Sequence, residues 1–236
     1  IIKNDIHQEI KNIPDNHIDL IYTNPPFGIT QNDNWDTPLD WNELFTEMFR
    51  VLKPRGKIVL HCSIPFTYDL IKIQKPKYSF IWIKDQPTGF LSCNKQPLRL
   101  YEDILVWYKK TGTYNVQMVG NQIQKRKLSG KTGYYGKMQS QDDRKEANKK
   151  YSKYTVGRYP TNVLNYKRNI RGLSTRPDEL VDFILKSYTN ENDTVLDLTC
   201  YNALTGRRCE VLNRNYIGVD VNPTNLMPNN YQTINF

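Results

Sequence analysis

Asp19-Leu20-Ile21-Tyr22-Thr23-Asn24-Pro25-Pro26-Phe27-Gly28 decides how this chain is read, because an apolar run ends abruptly in the tetrapeptide Asn24-Pro25-Pro26-Phe27. An Asn side chain offers one carbonyl acceptor and one amide donor. Two prolines stiffen the corner and give up their own backbone donors, and Phe27 adds a flat ring. Such a corner can grip an exocyclic amino group, taking its two protons on the Asn24 side chain and the Pro25 carbonyl while a planar base stacks on Phe27. That grip draws electron density onto the nitrogen and aims its lone pair, which is a catalytic use of hydrogen bonding. The competing reading is a plain turn at a strand end, since Asn and Pro are common there.

Working outward, segments patterned as strands alternate with segments patterned as helices, which predicts a mostly parallel sheet covered on both faces. Residues 17–23, 57–62, 78–83, 102–108, 194–198 and 216–219 read as strands. Residues 41–52 carry apolar side chains at helical spacing, and Lys53-Pro54-Arg55-Gly56 is expected to end that helix as a turn. A second helix is expected from Pro177 to Tyr188, with Asp178 and Glu179 placed in its first turn. Two of the strands end in an aspartate, Asp197 and Asp220.

The chain has 236 residues and a formal charge of +9, enough length for a substantial core with one sizeable insertion. The charge is concentrated. Between Lys109 and Arg171 there are 16 Lys or Arg against 3 acids, so the remainder is mildly acidic. Lys125, Arg126, Lys127, Lys149 and Lys150 sit in this region with Tyr134 and Tyr135 among them, a mixture of cations and rings suited to phosphate contact and base stacking. A solvated loop whose tyrosines fold back on the core is the alternative. Cys62, Cys93, Cys200 and Cys209 are widely spaced without a C-x-x-C pair or clustered histidines, which points away from zinc and from a disulfide framework. An intracellular, reducing compartment is expected, with no membrane span and no signal-peptide core. The first residue is Ile1 rather than Met, which suggests trimming or missing residues.

Together these residues resemble the beta-class, permuted amino-methyltransferases that modify adenine or cytosine amines in DNA, and the resemblance covers nearly the whole chain. Asn24-Pro25-Pro26-Phe27 resembles that family's catalytic Asp/Asn/Ser-Pro-Pro-aromatic motif, and Leu52-Lys53-Pro54-Arg55-Gly56 its Leu-Lys-Pro-Gly-Gly turn. Trp82-Ile83-Lys84, Thr88-Gly89-Phe90, Pro97 to Leu105 and Arg158-Tyr159-Pro160 with Val163-Leu164 are similar to blocks of the phage-type, adenine-specific branch. Ser174-Thr175-Arg176-Pro177 resembles the Thr-Gln-Lys-Pro before the cofactor helix, and Val195-Leu196-Asp197 and Asn213 to Asp220 resemble the paired cofactor strands.

The resemblance implies a Rossmann-like, doubly wound α/β fold of the methyltransferase type, with a catalytic half (1–108), a basic target-recognition insertion (109–165) and a cofactor half (166–236). It implies S-adenosylmethionine as cofactor and DNA as partner, with no metal. A second methyltransferase-like subunit or a homodimer is a further possibility. Asp220 would bind the ribose hydroxyls, and Asp5-Ile6 would read the cofactor's adenine, although a helix cap or turn accounts for Asp5 equally well. Asp197, Thr199, Tyr201 and Arg176 complete the implied cofactor set. Because the tetrapeptide precedes the cofactor strands, the order differs from that of methyltransferases acting on protein glutamine, and a protein substrate is disfavoured.

One segment departs from the family pattern. Its loop reads Asp-Pro-Phe-x-Gly-x-Gly-Thr-Thr-Gly, whereas this chain has Asp197-Leu198-Thr199-Cys200-Tyr201-Asn202-Ala203-Leu204-Thr205-Gly206, with Tyr201 and Ala203 in place of the first two glycines. Strain from a Cβ at such points costs on the order of 1 to 3 kcal/mol. That is roughly tenfold to a hundredfold in affinity. Two functions follow as expectations: an N6-adenine methyltransferase with an altered loop, or an inactive relative serving as a DNA-binding or scaffolding subunit.

Overall fold

The opening Ile1-Ile2-Lys3-Asn4 yields only a short strand, β1 (Ile2–Lys3), before Asp5 caps helix α1 (Ile6–Asn12) by accepting the His7 amide at 2.8 Å. The computed structural model describes residues 1–28, 36, 39–125, 154–169 and 176–223. These fall into two compact units, Ile1–Asn115 with Asn162–Phe236, and Val116–Thr161.

In the first unit β2 (Ile18–Thr23) is buried over nearly its whole length, which is why it reads as a continuous apolar run rather than an alternating one. Helix α2 (Trp41–Val51) is capped by Asp40 and buries Trp41, Leu44, Phe45, Met48 and Val51, worth roughly 1.5–3 kcal/mol for each large side chain. Strand β3 (Leu52–Cys62) follows without a separate loop. The expected turn at Lys53–Gly56 is instead a bulge: Ile18 faces Leu52, but Leu20 already faces Lys57. Gly56 is needed there, since a Cβ would lie 2.8 Å from the Asp19 carbonyl.

Helix α3 (Phe66–Ile73), strand β4 (Tyr78–Thr88), a short 3-10 turn (Phe90–Ser92) and strand β5 (Arg99–Trp107) come next. After the second unit the chain returns as β8 (Val163–Asn165), α4 (Asp178–Tyr188), β9 (Thr194–Asp197), α5 (Leu204–Val211) and β10 (Asn215–Asp220). The second unit holds an antiparallel pair, β6 (Val119–Lys125) and β7 (Tyr154–Arg158).

The large sheet has the order β1-β10-β9-β2-β3-β5-β4-β8. Only β5 runs against its neighbours. Helices α1, α2 and α3 pack on the face that displays Ile21, Ile58 and Leu196. Helices α4 and α5 pack on the face that displays Leu20, Tyr22 and Val59. Helices on both faces of a mostly parallel sheet give the expected doubly wound α/β architecture. In such a sheet ligand sites form beyond the carboxyl ends of the strands, and that edge carries the chemistry described next.

Candidate active site

Four neighbouring strands deliver four polar residues to one edge. Asp5 follows β1, Asp220 ends β10, Asp197 ends β9, and Asn24 follows β2. Strands lie about 4.8 Å apart, so Asn24 and Asp220, two strands apart, stand on the order of 10 Å from each other.

The Asn24 side-chain oxygen is buried and has no hydrogen-bond partner among the described residues. A buried acceptor left unmade costs about 1–3 kcal/mol, so among the described residues this carboxamide oxygen is open to a donor. Pro25 is buried, and Phe27 rests against the core with its ring stacked on that of Phe66, centroids 5.7 Å apart and planes 22° from parallel. Trp41 backs Phe66 in turn, ring to ring at 5.4 Å. The Gly28 amide then donates to Asp36 at 2.7 Å, fixing the exit from the corner.

The turn after β9 is tied to this corner, because the Thr23 and Thr199 hydroxyls meet at 2.8 Å. Asp197 is fully buried, and burial pushes its carboxyl above the ordinary aspartate range; the Arg176 cation, the Thr23 and Thr205 hydroxyls and the Thr199 amide pull the other way. Arg176 is itself buried, with its guanidinium carbon 5.7 Å from the centre of the Tyr22 ring. Arg176 thus faces the interior beside Asp197 and Tyr22.

Tyr201 and Ala203 both adopt left-handed backbone, at φ 42° and 52°. They are the two positions where the sequence reading placed family glycines, so the turn keeps a glycine-type path with Cβ atoms on it. Ala203 is fully buried, whereas Tyr201 is 46% exposed. The Tyr201 amide donates to Asp220 Oδ2 at 2.7 Å, and the Asn222 amide to Oδ1 at 2.8 Å. Asp220 is thereby aimed along the edge by two backbone donors, each oxygen keeping a free lone pair. β1 lies beside β10, with Lys3 opposite Asp220, so Asp5 emerges next to Asp220; its Oδ1 serves as the cap of α1, and Ile6 is in the core.

Beneath Asn24 runs a chain of buried polar groups that sequence reasoning missed. The Tyr22 hydroxyl meets His61 Nε2 at 2.9 Å, His61 Nδ1 lies 3.6 Å from Glu102, and Lys84 Nζ is 3.0 Å from the other Glu102 oxygen. Burial raises the Tyr22 hydroxyl to about 12 and lowers His61. Burial alone would raise Glu102, but His61 and Lys84 outweigh it and bring the carboxyl down to about 2. The available signal was a polar residue near the carboxyl-edge end of each of several apolar strands, His61 in β3, Lys84 in β4 and Glu102 in β5.

A cavity of about 370 Å³ opens at the opposite, amino-terminal edge, lined by Asp19, Lys53, Gly56 and Asp193 among others. Lys53 and Asp19 pair there at 2.7 Å, and no residue of the Asn24 corner reaches it. Of the expected nucleic-acid residues, Lys125 ends β6. Arg126, Lys127, Tyr134, Tyr135, Lys149 and Lys150 lie outside the described residues. The four cysteines are free, and among the described residues no cluster suited to a metal ion occurs and no helix is long and apolar enough to cross a membrane.

A doubly wound sheet with aspartates and an Asn-Pro-Pro-Phe corner along its carboxyl edge defines a Rossmann-like fold of the methyltransferase type. The model of the DNA methylase family, N6/N4 methyltransferases, matches residues 18–226, and the chain belongs to that family. It is 27% identical to the type II methyltransferase M.BglII of Bacillus subtilis over 94% of this chain and 65% of that protein. It is 28% identical to the DNA adenine methyltransferase YhdJ of Escherichia coli, over 94% of this chain and 78% of that one. The chain thus spans about two thirds of M.BglII. Among solved structures, the PvuII cytosine-N4-specific methyltransferase superposes with a TM-score of 0.63 at 15% identity, covering 97% of this chain and 86% of that one. The M1.HpyAVI complex with SAM gives 0.58 at 19% identity, covering 93% and 90%.

Proposed function

We propose that this chain transfers a methyl group from S-adenosylmethionine to the exocyclic amine of a DNA base, with adenine N6 the preferred target. The observation that carries the reading is the buried Asn24 oxygen, without a partner among the described residues, set on the same sheet edge as Asp220. When bound, S-adenosylmethionine supplies a methyl on a positively charged sulfur. Asp220 would hold its ribose, Asp5 would lie beside its adenine, and the turn from Thr199 to Ala203 would run along its methionine part. The residues fit this group because Tyr201 and Ala203 keep left-handed backbone and Tyr201 is about half exposed.

The Asn24 side-chain oxygen and the Pro25 carbonyl would each accept a hydrogen bond from one amine N–H, which would hold the nitrogen lone pair out of conjugation with the ring and free for attack. Phe27, braced by Phe66, orients the base plane. The base reaches this corner by rotating out of the duplex, and the Lys- and Arg-rich insertion, Lys125 included, supplies phosphate contacts. The adenine preference rests on the name of the YhdJ relative and on the sequence blocks around Trp82 and Phe90. The motif precedes the cofactor strands in the chain, which is the permuted order.

A second reading is favoured by one observation, the Cβ atoms at left-handed Tyr201 and Ala203: an inactive, DNA-binding relative that keeps the fold. Calorimetry with S-adenosylmethionine, paired with tritium transfer to unmethylated genomic DNA, separates the two. We expect cofactor heat, and a loss of transfer of about a hundredfold or more in Asn24→Ala with cofactor binding retained. Full transfer by Asn24→Ala would refute the amine grip. No heat at millimolar cofactor, with DNA still bound, would establish the second reading.

A further inference from the structure

We propose that the tip of the β4–β5 hairpin, led by Phe90 and Leu91, is a wedge that enters the base stack of duplex DNA as the target base leaves for Asn24. The proposal rests on the DNA methyltransferase reading above and adds a step to it.

The geometry comes from the strand registers. Pairing of β3 with β5 ends at Cys62 opposite Asp103. Pairing of β4 with β5 continues through Trp82 opposite Glu102 and Ile83 opposite Tyr101 to Thr88 opposite Arg99. Residues 99–102 therefore project past the end of β3 by about 13 Å, at roughly 3.3 Å per residue. Thr23 is level with Leu60, so Asn24 lies at the foot of this projection, on the same edge. β4 runs parallel to β2 three strands away, which is on the order of 14 Å sideways and less than the width of a duplex.

At the tip, Gly89 takes a left-handed turn at φ 92° into Phe90–Ser92. Phe90 is 63% exposed and Leu91 105% exposed, and neither belongs to a core cluster. Leaving two such side chains in water is unfavourable. The surroundings select a polyanion. From Lys84 to Tyr101 the one acid is Asp85, and its carboxylate accepts the Arg168 amide at 2.8 Å. Lys95, Arg99, Lys167 and Arg168 flank it. Drawing a base from the stack is unfavourable, and an apolar side chain that fills the gap offsets that cost, as wedge residues do in bent DNA. A protruding apolar pair ringed by cations beside the receiving corner has the shape and charge for this task.

The test compares wild type with Phe90→Ala/Leu91→Ala on one unmethylated plasmid, intact or heat-denatured. Denatured DNA offers bases already out of the stack. We expect the double variant to lose at least about ten times more rate on the duplex than on the denatured plasmid, and Leu91→Met to stay close to wild type. A second measurement needs no turnover: permanganate reactivity of unstacked thymines in the bound duplex should rise with wild type and not with the double variant. Cys93, exposed beside the tip while the other three cysteines are buried, should be shielded from maleimide by duplex DNA. Equal loss on both DNA forms, no loss, unchanged Cys93 labelling in saturating duplex, or a dimer that the variant converts to monomers would overturn the proposal. Absence of all methyl transfer by wild type would instead count against the enzyme reading, with permanganate and Cys93 still reporting on the wedge.

Discussion

The hydroxyls of Thr23 and Thr199 meet at 2.8 Å, so the strand that presents the Asn-Pro-Pro-Phe corner and the turn after β9 are fastened to each other rather than merely adjacent. Thr23→Val keeps the shape and removes the bond. Thr199 then loses its partner, a cost of about 1–3 kcal/mol, and with roughly 2–4 °C per kcal/mol at this size the melting temperature should fall by several degrees. Thr23→Ser should restore most of the loss. Because the bond joins the two halves of the site, calorimetry should show weaker S-adenosylmethionine binding in Thr23→Val than in Thr23→Ser.

Tyr201 and Ala203 share left-handed backbone, a region that costs an L-residue about 1–2 kcal/mol. Tyr201→Gly/Ala203→Gly relieves that strain and clears two Cβ atoms, but a freer unfolded chain takes back about 0.4–1 kcal/mol for each glycine. The expected outcome is a melting temperature nearly unchanged and cofactor affinity raised by up to about tenfold. Weaker binding in the double variant would mean that the Tyr201 ring or the Ala203 methyl itself touches the cofactor.

Much of this arrangement was legible in the chain. The buried run before Asn24, the amphipathic spacing of α2 and the aspartates ending β9 and β10 are local patterns, and they give the parallel sheet and the edge that carries the candidate site. What was not legible depends on contacts distant in sequence. Helices α1, α3 and α5 are only 7, 8 and 8 residues long, too short for periodicity to stand out, and α5 even contains Gly206. The β6–β7 pair joins segments about thirty residues apart, so neither strand signals the other. Lys53–Gly56 looked like a turn because its residues are turn formers, yet the pairing of Leu52 with Ile18 makes it a bulge inside β3. The Tyr22–His61–Glu102–Lys84 chain draws on four strands, and no spacing rule assembles it.

Gly206, which the sequence resemblance sets against a family glycine, has a packing reason to be there. A Cβ on it would lie 2.6 Å from the Tyr216 ring, whose hydroxyl sits where a Cβ on Gly218 would be 2.5 Å away. In an exposed helix Gly→Ala would gain about 1 kcal/mol. Here the ring is backed by the sheet and cannot retreat, and overpacking of this kind costs about 1–3 kcal/mol. Gly206→Ala should therefore lower stability in denaturant unfolding. Adding Tyr216→Leu should recover part of the loss, and a double-mutant cycle should return a coupling of about 0.5 kcal/mol or more; strict additivity would refute the contact.

The buried chain under Asn24 should make the fold sensitive to acid in two stages. His61 is lowered by burial, so below about 6.5 the unfolded chain takes up a proton that the folded one resists, and stability falls as pH falls. Glu102, held at about 2 against an ordinary 4.5, contributes stability that is complete above 4.5 and is lost as pH drops towards 2. At 1.36 kcal/mol per unit this second stage amounts to about 3–4 kcal/mol. Urea unfolding followed from pH 8 to pH 3 should show stability declining from about 6.5 and more steeply below 4.5. Glu102→Gln should flatten the lower stage and His61→Gln the upper one, each at a cost at neutral pH because a buried partner is stranded. An unchanged acid profile in Glu102→Gln would show that Lys84 and His61 do not hold this carboxylate in its charged form.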